Sequence, residues 1–552
     1  RAARDPVSGI AVGDLNHDGR LDVVATTSNA FVYAWGSDGK LRQGFPVHSD
    51  SQFASLPVPT PRSETPHSRL PSRGNWSPPV LADLSGDGRL DILMSAFDGF
   101  LYAFGPDGKP VPGWPVEVKL PPADLAGHAP DDYIRDAKLI FPPSVGDVLG
   151  TGTPQVFVPS FECLSSGGGH QSWIYGIWPD GNLHPGGPYM PGWPVGLSSL
   201  ANCYDQSIDF VEEGATPPSI GEFDGAPRVV TAGITGAPVA LNGDGSTFRS
   251  LSPGCPSTSC QPIPPYYSGD PLTIGLTGQA AIGDLLGDGT PEYMQSNAGA
   301  ISLSSALGGH AAALPQTYEK AWDVSTGAVV PSFPRLQDGF PFYVAPIVAG
   351  LSGTSERALV DANDSGWIHA YEPSGGEAPG FPKFVGQWPS FSGVVGDPKL
   401  DGHLRLAYGT REGSLFVWRV EGDPSRNDSW WHFHHDEHNS GLFGNDTRRP
   451  AALAALHVAR LHRGAKLRWT APGDNGVSGG PVARYEIFVS RHPITVADLN
   501  RAEPVKPPEP GAPGTVQTAT IGTPGRPYVA IRSIDAAGNI SALTQARIPA
   551  HR

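Results

Sequence analysis

An aspartate-rich loop, Asp14-Leu-Asn16-His-Asp18-Gly19-Arg20-Leu-Asp22, returns as Asp83-Leu-Ser85-Gly-Asp87-Gly88-Arg89-Leu-Asp91. A chain that repeats such a loop together with its flanking words must be built from copies of one unit. Oxygen-bearing side chains stand at positions 1, 3, 5 and 9, with glycine at 6. Alternate side chains of a short loop point inward, and the glycine permits the sharp turn that brings the last carboxylate back. Calcium takes about 6–8 oxygens at about 2.3–2.6 Å, which suits this spacing. The expected ligands are Asp14, Asn16, Asp18, the Arg20 carbonyl and Asp22, then Asp83, Ser85, Asp87, the Arg89 carbonyl and Asp91. Asp, Asn and Gly also form empty surface turns, but the doubled motif with matching downstream words favours about two structural Ca2+ sites.

The downstream words define the unit. Ala30-Phe-Val-Tyr33-Ala-Trp35, the turn Ser37-Asp38-Gly39 and Gly44-Phe45-Pro46-Val47 follow the first loop. Gly99-Phe-Leu-Tyr102-Ala-Phe104, Pro106-Asp107-Gly108 and Gly113-Trp114-Pro115-Val116 follow the second. Short β-branched and aromatic runs bounded by Gly, Asp and Pro read as strands joined by hairpins. Weaker copies begin at Asp147, Glu222, Asp284, Gly350 and Asp397. Seven units of about four strands each must stack to bury their faces, which predicts an all-β chain with a seven-bladed β-propeller over residues 1–445.

These motifs resemble the FG-GAP/VCBS repeat family, whose blades also build the head of integrin α subunits; the wording is closest to its bacterial secreted branch. The resemblance implies calcium in the blade loops and an extracellular binding role. Several units depart from the pattern. Leu149, Leu286 and Lys399 replace the third-position oxygen, Gln155 and Arg405 the ninth, and Gly350 the first. Metal is therefore expected to be lost from the units at Asp147, Glu222, Gly350 and Asp397. Asp284, Asp288 and Glu292 form a weaker third candidate.

From Pro450 the wording changes. Runs ending at Trp469 and Ser490, and Tyr528 through Asn539, predict an Ig-like β-sandwich over 450–552, resembling a fibronectin type III module. Trp469 is its expected core tryptophan, and Tyr528 stands where a tyrosine corner would. The stretch Glu503 to Pro513 is expected to be an exposed, extended loop.

Glycine (70) and proline (59) are abundant because many short strands need many turns. A net charge of −16 without a basic patch excludes a nucleic-acid partner. No apolar run approaches the roughly 20 residues that cross a bilayer as a helix. The chain starts at Arg1, and removal of a leader or upstream domain is expected. Loop-borne Cys163 with Cys203, and Cys255 with Cys260, suggest two disulfides; four free thiols are the alternative. Disulfides and calcium both point to a secreted or cell-surface protein.

The cluster Trp430-Trp431-His432-Phe433-His434-His435-Asp436-Glu437-His438 is read as a closing segment packed at the junction with the tail. Zinc or copper, with His434 and His438 on one helical side, is the alternative. No catalytic motif is present, so no enzyme is expected. Insertions at 48–79, 117–140, 160–190, 196–218 and 245–278 are candidate binding loops. They bring forward Asp124, Asp131, Asp132, Tyr133, Asp136, Trp173, Tyr175, Tyr266 and Tyr267. The preferred reading is a recognition or adhesion protein for a protein or glycan ligand. The others are an accessory region of a secreted polysaccharide-degrading or proteolytic enzyme, and a subunit of an extracellular assembly that self-associates through the tail.

Overall fold

The computed structural model describes residues 6–50, 74–126, 133–134, 139–160, 163–164, 172–197, 215–233, 238–251, 277–298, 316–339, 344–353, 356–389, 391–398, 403–423, 430–523 and 525–550. The chain is all-β: among the described residues the helical elements are the short 3-10 turns Gly181–Leu183 and Val496–Arg501. Among the described residues, seven antiparallel meanders of three or four strands follow one another, with a separate two-stranded pair of Tyr133–Ile134 and Cys163–Leu164. Sheet I is Val7–Gly13, Asp22–Thr27, Phe31–Trp35 and Val47–His48. Sheet II repeats it with Val80–Ala82, Asp91–Ser95, Phe100–Phe104 and Val116–Glu117. Sheets III to VI begin at Ser144, Ser219, Thr277 and Ile347. Sheet VII contains three described strands, Val394–Gly396, Arg405–Gly409 and Leu415–Arg419, rather than the expected four.

The sheets stack face to face in propeller fashion, which explains why their central strands read as unbroken apolar runs. Asp91–Ser95 and Phe100–Phe104 are buried at every position because both faces meet a neighbouring sheet. In sheet VII, Leu415–Arg419 instead alternates exposed and half-buried. The repeated words make the contacts between sheets. Gly44, Gly113 and Gly192 have φ of +93°, +89° and +82°. A β-carbon at these glycines would collide with the carbonyls of Asp107, Asp180 and Asp244, each in the Asp-Gly turn of the next sheet. The aromatic neighbours reach across too: Trp114 Nε1 donates to Pro179 O at 2.9 Å and Trp193 Nε1 to Gly243 O at 3.0 Å. The "Gly-aromatic-Pro" and "Asp-Gly" words are thus two halves of one joint.

The tail, from Ala454, forms two larger sheets and a two-stranded hairpin, Gly473–Asn475 with Ser478–Pro481, among the described residues. One pairs Ala454–Leu461, Gly464–Thr470 and Val516–Ile521; the other orders Glu503–Val505, Arg484–Ser490, Tyr528–Ile534 and Thr544–Arg547. Leu467, Trp469, Tyr485, Ile487, Val489, Val529 and Ile531 fill the space between them. Trp469 is core as expected, but its aromatic partner is Tyr485, edge-on at 5.3 Å. Tyr528 is only half-buried at a strand end. The proline-rich stretch is not wholly loop, since Glu503–Val505 pairs with Ile487–Val489 as an edge strand. At an edge, Pro504 lacks no needed N–H.

Candidate functional site: acidic loops and the axial segment

Each acidic loop joins the first strand of its sheet to the second. In sheet I, Asp14 accepts the N–H groups of Asp18 (3.1 Å) and Gly19 (2.7 Å), and Asp22 Oδ2 accepts Leu15 N–H at 3.0 Å. In sheet II, Asp83 takes Asp87 N–H (3.2 Å) and Gly88 N–H (2.8 Å), while Asp91 Oδ2 takes Leu84 and Ser85 N–H, both at 3.0 Å. The weaker candidate in sheet V has the same scaffold. Asp284 accepts Asp288 and Gly289 N–H (3.0 and 3.1 Å), and Glu292 Oε2 accepts Leu285 N–H at 2.8 Å. Leu286 points outward, 41 % exposed.

Sheet III shows what the loop encloses. Asp147 binds Thr151 and Gly152 N–H, and Gln155 Oε1 accepts Val148 and Leu149 N–H (2.8 and 3.1 Å), so Gln155 occupies the place of Asp22 and Asp91. Its Nε2 then donates into the loop, to Thr153 O at 2.6 Å, Thr151 Oγ1 at 3.3 Å and Asp147 Oδ1 at 3.5 Å. Those are positions 7, 5 and 1. A nitrogen donor therefore sits where the loop oxygens converge. In sheet VII the Arg405 guanidinium does likewise, donating to Asp397 Oδ1 (3.4 Å) and His403 O (2.8 Å), again positions 1 and 7. The sheet IV loop is reduced to a two-residue turn, Asp224-Gly225, with φ of 51° and 69° as a type I′ hairpin requires.

In the intact loops the counterpart of Gln155 Nε2 is a second carboxylate oxygen, which can bind a cation but cannot donate. The donor set of Asp14, Asn16, Asp18, Arg20 carbonyl and Asp22 fits a hard ion, as does its copy from Asp83 to Asp91. Burial holds Asp14 and Asp22 above the usual carboxylate range, with Arg42 opposing the rise at Asp22 through an ion pair at 2.9 Å. Burial pushes Asp91 up to about 6 and Glu292 up to about 7. Among the described residues, no three His, Cys, Asp or Glu side chains gather into a metal centre by themselves. The loops add amide, hydroxyl and carbonyl oxygens to their carboxylates.

The histidine-rich cluster runs along the middle of the stack, not merely at the tail junction. Inner strands bond to it in turn: Val348 N–H to Trp430 O, Val395 to Trp431 O, Val12 to Glu437 O, Leu81 to His438 O, Val145 to Ser440 O and Ile220 to Gly441 O, all at 2.7–2.9 Å. Its consecutive residues thus meet sheets VI, VII, I, II, III and IV. The segment is not helical; His434, His435 and Asn439 adopt φ of 54°, 83° and 56°. His434 is occupied by Asn439 O (2.6 Å), Ser144 Oγ (3.2 Å) and Pro218 O (3.3 Å). Asp436 accepts from Ser440 Oγ (2.6 Å), Asn445 Nδ2 (2.8 Å) and the His438 and Ser440 N–H groups. These contacts assign the cluster a structural task, and the helical pairing of His434 with His438 does not form.

The candidate ligand residues separate. Trp173 and Tyr175 are buried between sheets II and III and are withdrawn as binding residues. Asp124 is exposed. Asp131, Asp132, Asp136, Tyr266, Tyr267, Cys203, Cys255 and Cys260 lie outside the described residues, as do the side chains of Tyr133 and Cys163. One group had no sequence signal. Glu319 and Asp361, both fully buried, share Ser296 Oγ between sheets V and VI, and Gln337 Nε2 holds Glu319 at 2.6 Å. Burial raises both carboxyls, Glu319 most.

Residues 14–94 match the sequence profile of the FG-GAP-like repeat family, covering the first two loops. No curated protein matches the chain. Among solved structures, BamB from Moraxella catarrhalis is 13 % identical, with a TM-score of 0.39 over 76 % of this chain and 86 % of that one. The Dos1 propeller is 11 % identical, at 0.39 over 76 % and 79 %. The exotype rhamnogalacturonan lyase YesX is 13 % identical, at 0.39 over 84 % and 70 %. Likeness at this level extends no activity to this chain. No helix among the described residues is long and apolar enough to cross a membrane.

Proposed function

We propose that the seven sheets close into one seven-bladed propeller over 1–445, carrying a fibronectin type III-like sandwich over 450–552. The whole acts outside the cell as a calcium-stabilised recognition protein for a protein or glycan. One observation carries the recognition role: the long insertions belong to one end of the stack. In a four-stranded meander, connections alternate between two ends. The acidic loops and the Asp-Gly turns lie at one end. The segments between His48 and Val80, Glu117 and Ser144, Ser160 and Ser172, Leu197 and Ser219, Ser250 and Thr277, and Ala298 and Gln316 all connect strands at the other. The tail contacts the acidic-loop end, where Arg449 donates to Gly19 O and a β-carbon on Gly19 would collide with Ser541. The insertion end is thus remote from both metal loops and tail, and loops on a rigid scaffold suit binding.

The proposal predicts a division of labour. Full-length chains with the 52–72 or 253–275 segment shortened to a Gly-Ser tether are screened on glycan and protein arrays in calcium. A shortened variant is expected to lose the array ligand while its melting temperature holds. Ligand binding that survives every shortening but fails on changes to the tail overturns the reading. Disulfides 163–203 and 255–260 belong to the same extracellular setting and are checked by non-reducing peptide mapping.

A further inference from the structure

Sheet VII stops one strand short of the others. In sheets I to VI a fourth strand pairs with the third, whereas among the described residues no strand pairs with the outer edge of Leu415–Arg419. Two bonds fix which groups that edge presents. Thr410 N–H donates to Ser414 O at 2.9 Å and Val420 N–H to Leu404 O at 3.0 Å, at either end of the pairing with Arg405–Gly409. Bonds in an antiparallel pair alternate, so Phe416 and Trp418 bond inward, and Leu415, Val417 and Arg419 turn their N–H and C=O groups outward. Edges are ordinarily kept from pairing by charge, proline or a bulge, yet this one reads Leu-Phe-Val-Trp-Arg. Leu415 and Val417 are 72 % and 53 % exposed, while Leu101 and Ala103, at the same places in sheet II, are buried.

The joint between sheets is incomplete at the same seam. A β-carbon on Gly108, Gly181 or Gly245 would meet the carbonyl of Gly44, Gly113 or Gly192, the glycine of the "Gly-aromatic-Pro" word in the preceding sheet. At Gly39, the same position in the Asp-Gly turn of sheet I, nothing described lies within 4 Å. Val24 packs toward sheet II, so Val23 faces the other way, and it is exposed where its counterpart Ile92 is buried. In sheets I, II, III and VI the residue after the proline of the word pairs with Val32, Leu101, Ile174 and Ile368. Leu415 holds that place in sheet VII. One extended segment that carries the word and then a strand would therefore cover the free edge and complete the joint at Gly39.

We propose that sheet VII takes such a segment from a partner protein as its fourth strand, antiparallel to Leu415–Arg419, and that this strand clasps sheet VII to sheet I. The inference rests on the closed ring proposed above. The aromatic-proline pairs that begin at Phe45, Trp114, Trp193, Phe333 and Phe381 already lead into the fourth strands of their own sheets, which points to a partner's segment rather than a second folded copy. The probe is a fluorescent peptide with the sequence of residues 111–120, Val-Pro-Gly-Trp-Pro-Val-Glu-Val-Lys-Leu, titrated with the full chain in calcium. Saturable binding is expected in fluorescence anisotropy. Val417→Pro removes an outward N–H and spares the inner ladder. It is expected to weaken binding about tenfold while the chain stays folded. The peptide's own Gly113→Ala, which sets a β-carbon against the Asp-Gly turn, is expected to weaken it about as much. Should Val417→Pro fail to fold, Val417→Lys decides by the same titration. No binding by the parent, or equal binding by a folded edge variant, overturns the added strand. Amides of 415–419 protected from exchange in the monomeric parent, or a dimer that Val417→Pro dissociates, overturn it too, since the chain itself or a second copy then covers the edge. Failure of the ring is distinguishable: the peptide would still bind the edge and lose affinity with Val417→Pro, but its Gly113→Ala form would bind as well as the original, which overturns the clasp.

Discussion

Gln155 carries more information than its neighbours because one substitution in a repeated loop reveals what the loop surrounds. Its amide nitrogen bridges the oxygens of positions 1, 5 and 7. Gln155→Asp removes that donor from part-buried acceptors, a loss of about 1 kcal/mol. The variant is expected to melt earlier in EDTA and to recover in calcium, whereas the parent loop is indifferent to calcium. A second prediction concerns pH. Burial raises Asp91 to about 6 and Glu292 to about 7, so the folded chain holds protons that the unfolded chain has already released. Between about pH 4 and pH 7, stability in EDTA therefore falls as pH rises through this contribution. Calcium replaces the protons, so denaturant melts should show that slope flattened or reversed when calcium is added. The loop residues were legible in the sequence, since their spacing is local. Burial was not: Trp173 and Tyr175, which follow an insertion and were candidates for a ligand face, lie between two packed sheets.

The axial segment is the element that ties the sheets together. Asn439 Nδ2 donates to Ile10 O and Pro79 O, both at 2.8 Å, linking sheets I and II through one side chain. Asn439→Ala leaves the buried Pro79 carbonyl and the part-buried Ile10 carbonyl without this donor and forces an ordinary residue into a left-handed backbone. A loss of about 2–4 kcal/mol is expected in equilibrium unfolding. Burial also pushes His434 down to about 4, whereas an unfolded histidine titrates near about 6.5. The unfolded state takes up the proton first, so this contribution is lost as pH falls from about 6.5 to about 4. His434→Gln is expected to weaken that acid sensitivity in pH-dependent melts. The sequence showed a cluster of unusual residues here. Its course among six inner strands depends on tertiary pairing that no local pattern carries, and the same holds for the Glu319–Asp361 pair.

At the scale of the molecule, the division between ends was hidden until strand order was known, although the insertions themselves were plain. The repeat words marked the units; the joints between "Gly-aromatic-Pro" and "Asp-Gly" explain why those words persist in sheet III, where the acidic loop departs from the pattern. Where loop positions depart from the pattern, the loops of sheets III and VII are closed by Gln155 and Arg405, and that of sheet IV is a tight turn. We propose that ions bind where carboxylates remain. Thermal unfolding of the full chain, with and without calcium, tests it most directly against Asp18→Ala plus Asp87→Ala. An ion held only by the folded state stabilises it by about 2.7 kcal/mol at a hundredfold excess over its dissociation constant. The parent is expected to melt higher in calcium than in EDTA, with most of that difference absent in the double variant. Equal melting of the parent in calcium and in EDTA contradicts the account.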